Sequence, residues 1–169
     1  MKVFVLNCGS STVKFQFIET DAELIQSNQD RLLAKGAVEK IGTTEALIHF
    51  ESNGVKAHVS AREVLDHKSA ISQCLELLRS GPNPLVQSPN EIGAIGHRVV
   101  HGGEKFSDSK LMTEPVVAEI RECIQLAPLH NPHNLRGYQV CRELLPEVTQ
   151  VAVFDTAFHQ SMPAEAYIY

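Results

Sequence analysis

No C-x-x-C pair occurs in this 169-residue chain, and its four cysteines, Cys8, Cys74, Cys123 and Cys141, lie far apart. That spacing argues against a disulfide framework and a thiolate zinc site, so reduced thiols in or near the core are expected. No apolar run approaches the ~18 residues of a membrane span. Met1-Lys2-Val3-Phe4-Val5-Leu6 meets polar Asn7 too early for a signal peptide, so the expectation is a cytosolic chain with no membrane partner. Positive charge is scarce as well. Nine basic residues stand against ten acidic ones up to Pro84 and six against ten after it, which leaves no basic surface for a nucleic acid. Ten glycines and eight prolines are too few for a low-complexity linker or a collagen repeat.

What remains is 43% hydrophobic and 21% charged, the ratio of a soluble globular chain with one packed core. Lys2 to Leu6 reads as a strand, Asn7 to Thr12 as a tight polar turn, and the alternation of Val13, Phe15 and Phe17 as a returning strand. Leu32 to Ile41, Ala46 to Phe50 and Val55 to Val59 are further strands, the last two joined through Asn53-Gly54, a strong hairpin signal. Val64, Leu65, Ile71, Cys74, Leu75 and Leu78 recur at helical spacing, with Ser60 and Glu63 as a capping box or Asp66 as N-cap, and Gly81-Pro82 as the stop. A loop over Asn83 to Asn90 leads to a strand from Ile92 to Val100. Helices then open at Thr113-Glu114-Pro115, running through Ile124, and at Asn131-Pro132, running through Leu144. Gln150 to Phe154 is a final apolar strand. Antiparallel strands followed by strand and helix alternation predict an α/β fold, a mixed sheet with flanking helices. The tail from Met162 to Tyr169 has neither a helix stop nor a polar ending, and reads as cut in mid-fold.

Three polar clusters fall at strand ends, where open α/β sheets place ligands. In Asn7-x-Gly9-Ser10-Ser11-Thr12-x-Lys14 the backbone N–H groups, hydroxyls and lysine suit a phosphate, although a polar hairpin turn looks the same. In Gly96-His97-Arg98-Val99-Val100-His101-Gly102-Gly103, strand alternation puts Arg98 beside Val100. That pair suits a small carboxylate with a short alkyl tail, or else Arg98 is salt-bridged to a structural Glu. Asp155, after the strand ending at Phe154, either serves proton, nucleophile or metal chemistry or caps a strand end. Five of the eight histidines fall between His97 and His159 without a zinc-binding pattern, and His130 precedes a helix N-terminus, a position that favours anions.

These segments, together with Ala127-Pro128-Leu129-His130-Asn131-Pro132 and Val153-Phe154-Asp155-Thr156-Ala157-Phe158-His159, resemble the acetokinase family in order and spacing. The resemblance implies an RNase H-like fold of the actin, Hsp70 and sugar kinase superfamily, with two domains and the active site between them. It further implies reversible phosphoryl transfer from ATP to acetate, giving acetyl phosphate and ADP with Mg2+. By position, Asn7 corresponds to a magnesium-site residue, and Lys14, Ser10, Ser11, Thr12 and His130 to ATP- or phosphate-binding ones. Arg98 corresponds to the carboxylate-binding arginine, Val100 and Leu129 to walls of the methyl pocket, and Asp155 to the active-site aspartate. Cys8 stands where many members have Ala, and Thr12 where they have Ser. Members are much longer, so residues 1–169 are expected to form an N-terminal acceptor- and phosphate-binding domain. A C-terminal nucleotide-binding domain, carrying the adenosine pocket, would be absent from this chain. A homodimer is expected of the full-length form. Propionate or butyrate kinase chemistry is the neighbouring reading, and a non-catalytic phosphate- or nucleotide-binding module the reading from another class. The joint presence of Asn7, Lys14, Arg98 and Asp155 favours the enzyme.

Overall fold

A computed structural model describes residues 1–81 and 83–160, without the side chains of 57–62 and 158–160. The strands are β1 (Lys2–Cys8), β2 (Thr12–Glu19), β3 (Arg31–Glu39), β4 (Thr43–Ser52), β5 (Val55–Val64), β6 (Ile92–Val99), β7 (Lys110–Leu111) and β8 (Thr149–Phe154). The helices are α1 (Ala22–Ser27), α2 (His67–Ser80), α3 (Glu114–Glu122), α4 (Asn131–Leu144) and α5 (Asp155–Gln160). The eight strands of the described residues join one sheet in the order β5-β4-β3-β2-β1-β6-β8-β7. β1 through β5 form an antiparallel meander, whereas β1, β6 and β8 run parallel, which makes the sheet mixed as expected.

Alternation decides what each face carries. Phe4, Leu6 and Cys8 of β1, Val13, Phe15 and Phe17 of β2, and Ile48 and Phe50 of β4 are buried in one cluster with Ala70, Ile71, Cys74 and Leu78 of α2 and Val140 and Cys141 of α4. A second cluster joins Val99, Ala152 and Phe154 at the ends of β6 and β8 to Val117 and Ile120 of α3 and Leu135 and Tyr138 of α4. Val5, Asn7, Lys14, Gln16, Lys35 and Arg98, on the other face, are exposed or half-buried. Asn53 and Gly54 both take positive φ, 50° and 77°, as a tight β4–β5 hairpin turn of the primed kind requires. All four cysteines are free, and burial pushes the Cys8 thiol up to about 12.

Several boundaries differ from the sequence reading. β5 continues to Val64, so Ser60 and Glu63 belong to a strand and form no capping box. α2 begins at His67, capped by Asp66, whose Oδ1 accepts the Ser69 N–H at 2.7 Å. Val64 had matched the helical spacing because it is buried at a strand end; Leu65 beside it is exposed. α3 stops at Glu122 and yields to a 3-10 turn over Cys123–Gln125. α1 and the two-residue β7 carry too little periodicity to be read from sequence. The tail from Met162 to Tyr169, read above as cut in mid-fold, lies outside the described residues.

α4 lies close against β1 because Gly137 has no side chain: a Cβ there would stand 2.5 Å from the Cys8 sulfur. In an open helix Gly→Ala stabilises by about 1 kcal/mol, but overpacking costs about 1–3 kcal/mol. Gly137→Ala is therefore expected to lower the urea midpoint of unfolding.

His97 is buried on β6, its Nε2–H donating to Gln150 Oε1 at 2.7 Å, and burial lowers its pKa from 6.5 to about 4. The unfolded chain takes up a proton there as pH falls through about 6.5, the folded chain only near 4. Stability from neutral His97 is thus full above that window and lost as pH drops through it. Urea titrations should show about 2 kcal/mol lost from this group between pH 7 and pH 5. His97→Gln should flatten that dependence, and an unchanged slope would acquit His97.

Candidate active site

Pairing, more than any single residue, assembles the polar groups. In the β1–β2 hairpin Asn7 is opposite Lys14, and Lys14 in turn is opposite Ala37 on β3. β1 and β6 are paired in parallel as far as Leu6 with His97, which brings Asn7 level with Arg98; Arg98 pairs with Val153 of β8. Lys14, Asn7 and Arg98 therefore stand in one row across three adjacent strands, on the exposed face, at the carboxyl ends of β1 and β6. Asp155 follows β8 directly and opens α5.

Arg98 and Asp155 meet as a two-point fork. Nε donates to Oδ1 at 2.9 Å and Nη2 to Oδ2 at 2.7 Å, while Nη1 approaches Asn7 Oδ1 at 3.4 Å. Hydrogen bonding to Asp155 raises the Arg98 pKa further, against a smaller effect of burial. Both side chains are about 40% exposed, 47% and 37%, where ion pairs contribute about 0–1 kcal/mol to stability. The pair does little for the fold. Of the five guanidinium N–H groups, two are not committed to Asp155 or Asn7, and they leave room for a second carboxylate. The partner of Arg98 is therefore Asp155, itself one of the site residues read from sequence, and not a structural Glu.

The turn after β1 is shaped by the Gly9 N–H, which donates to Thr12 O at 2.8 Å, and by Ser11 O, which accepts from Ile41 N–H at 3.0 Å. Ser10 and Ser11 are exposed at its tip, with Thr12 half-buried beside them. Behind the turn, His67 Nε2–H donates to Gly9 O at 2.7 Å, and its ring stacks on His133 at 5.8 Å. Partial burial, then the proximity of His67 and His130, lowers the His133 pKa, and His130 itself is exposed at the N-terminus of α4. Val100 lies one residue past β6 and is half-buried, whereas Leu129 is 75% exposed in the turn before α4. A concavity of about 610 Å³ opens on the exposed face, with Asn7, Lys14 and Arg98 at one end and Lys35, His49 and Lys56 beyond them. Val100 and Leu129 are not in its lining.

The loop after β6 is held close to α5. The Gly102 N–H donates to Thr156 Oγ1 at 3.2 Å, and a Cβ on Gly102 would stand 2.6 Å from the Phe154 ring. That contact brings Asp155 over Arg98. Sequence reasoning did not single out His67, Asn134 or Gln150, and treated Asn131 only as a helix opener. All four are buried and make side-chain hydrogen bonds, and a polar residue on an apolar periodicity was the one available signal.

A mixed sheet backed by helices, with a polar row at the ends of its parallel strands, places the chain in the class of actin, Hsp70 and sugar kinase folds. Its similarities narrow the class. A profile of the acetokinase family matches residues 2–169. The acetate kinase of Treponema denticola is 50% identical over the whole of this chain, which covers 41% of that protein. In structure the chain superposes on a Porphyromonas gingivalis acetate kinase with a TM-score of 0.87 and 44% identity, over 99% of this chain and 40% of the other. A propionate kinase from Francisella tularensis gives a TM-score of 0.78 and 37% identity, over 97% of this chain and 39% of the other. The chain belongs to the acetokinase family, and spans about two-fifths of the length of the curated relatives it matches.

Proposed function

We propose that the natural protein moves a phosphoryl group reversibly between ATP and acetate, and that residues 1–169 supply its acceptor- and phosphate-binding wall. The observation that carries this reading is the row of Lys14, Asn7 and Arg98 with Asp155 forked onto the guanidinium, in a chain of the acetokinase family. In the forward direction an acetate oxygen attacks the γ-phosphorus, the bond to the β,γ-bridging oxygen breaks, and ADP leaves with those electrons. Such transfer depends mainly on positioning and charge neutralisation. The two uncommitted N–H groups of Arg98 hold the acetate carboxylate, while Asp155 orients the guanidinium and the attacking oxygen. Lys14 and the Ser10–Thr12 turn neutralise and hold phosphate oxygens, with His130 at the rim and Val100 and Leu129 facing the methyl group.

Asn7 Oδ1 and the Asp155 carboxylate are oxygen donors at the ends of β1 and β8, the two strands that flank β6. Among the described residues no three His, Cys, Asp or Glu side chains converge as a cage. That donor set fits Mg2+ bound through one or two protein oxygens, water and phosphate. When bound, the ion would neutralise phosphate charge. A cytoplasmic homodimer completes the reading.

Propionate is the second acceptor to weigh, because a solved propionate kinase is 37% identical to this chain. Comparing kcat/KM for acetate, propionate and butyrate separates the readings, and Val100→Ala should move preference modestly towards the longer acids.

Arg98→Ala in the natural protein is expected to lower kcat/KM for acetate by roughly 30- to 1,000-fold, and Arg98→Lys to recover little, since lysine offers no planar fork. Asp155→Asn should leave the melting temperature almost unchanged, given how little an exposed ion pair stabilises, and lower kcat more than it raises KM for acetate. Wild-type acetate kinetics in either variant would remove that residue from the site.

Residues 1–169 by themselves should form no acetyl phosphate from ATP and acetate. One open wall leaves phosphate hydrated, and electrostatic stabilisation is weak where water is not excluded. A hydroxamate assay on the purified chain, free of host kinase, checks this directly.

A further inference from the structure

Two buried amides of α4 hold the strand ends that carry the polar row. The parallel ladder of β1 and β6 ends at Leu6 and His97. Beyond it, Asn134 takes over: its Nδ2–H donates to Cys8 O at 2.8 Å and its Oδ1 accepts the Val100 N–H at 3.1 Å. Asn131, three residues earlier and so on the same helical face, pairs with the backbone of His101, accepting its N–H at 3.1 Å and donating to its C=O at 2.8 Å. Asn131 is 0% exposed and Asn134 4%.

Burying amides is costly unless their bonds are made, and a leucine would avoid that cost only by leaving Cys8 O, Val100 N–H and the His101 N–H and C=O without these partners. What a leucine does not provide is a spacer of defined length between a carbonyl on one strand and an N–H on the next. Where a direct ladder bond would draw the strands to about 4.8 Å, an interposed amide keeps them splayed. Asn7 precedes one anchored group and Arg98 lies two residues before the other. The close packing of Gly137 on Cys8 leaves α4 little freedom to move, so the spacer is fixed to a rigid support.

We propose that Asn134, supported by Asn131, is a positioning residue: it sets the separation between Asn7 and the Arg98–Asp155 fork, and thereby the seat of the acceptor carboxylate. This rests on the kinase reading for its catalytic consequence, though not for its geometric one. The test uses the natural protein with Asn134→Asp, which keeps the shape and loses the donor to Cys8 O, and with Asn134→Ser should the first variant fail to fold.

In either variant kcat/KM for acetate is expected to fall about 10- to 100-fold, with KM for ATP changed less than about twofold. In an Arg98→Lys background the same substitution should cost less than about threefold, because its effect runs through the fork. The Arg98 Nε–H resonance, read by 15N NMR, should also shift, since its hydrogen bond to Asp155 is disturbed. A full, multiplicative loss in the Arg98→Lys background, or equal losses for acetate and ATP, would make Asn134 merely structural and overturn the proposal. So would an unmoved Arg98 resonance. A wild-type protein that makes no acetyl phosphate, but whose Arg98 resonance shifts on substitution, would sink the kinase reading and leave the positioning role standing.

Discussion

Asn7 lies opposite Lys14 on β2 and level with Arg98 on β6, and every other feature of the site depends on that register. Side chains alternate along a strand, so a slip of one residue would turn the polar row into the core and expose Phe4, Leu6, Val13, Phe15 and Phe17. Each such side chain, fully buried, contributes about 1.5–3 kcal/mol, whereas the exposed Arg98–Asp155 pair contributes about 0–1 kcal/mol. The hydrophobic face therefore holds the site in place. The polar row is free to serve chemistry because the fold does not need it.

The helices transmit this order to the loops. α2 supplies His67 beneath the Gly9 carbonyl, and α4 supplies Asn131 and Asn134 to four backbone groups at the end of β1 and just beyond β6. Loops at strand ends lose the ladder that satisfies their backbone, and here buried side chains replace it. The result is a turn with exposed serines on an anchored base, a geometry that would suit the phosphate contact proposed for it.

Much of the fold was legible because burial and periodicity coincide. β1, β2, β4, β6, β8, α2 and α4 all carry apolar residues at the spacing of their own structure, and Asn53-Gly54 marks its hairpin through a backbone preference. The exceptions have local causes. Val64 satisfied the helical spacing of α2 while serving β5, and α1, six residues with none buried, has no apolar stripe to read. The clusters at Asn7–Lys14, Arg98 and Asp155 stood out because polar residues interrupt apolar strands at their ends.

Sequence by itself determined the class of fold, the family resemblance and the candidate residues of the site, since these follow from local patterning and short motifs. Only the tertiary structure decided that Asp155, 57 positions from Arg98, occupies one edge of its guanidinium. It alone showed that Lys14 and Arg98 flank Asn7, and that Val100 is tied to Asn134 while Leu129 lies exposed. Those facts depend on strand order and on which helix packs where, and both arise from long-range burial of the whole core. No window of neighbouring residues contains that information.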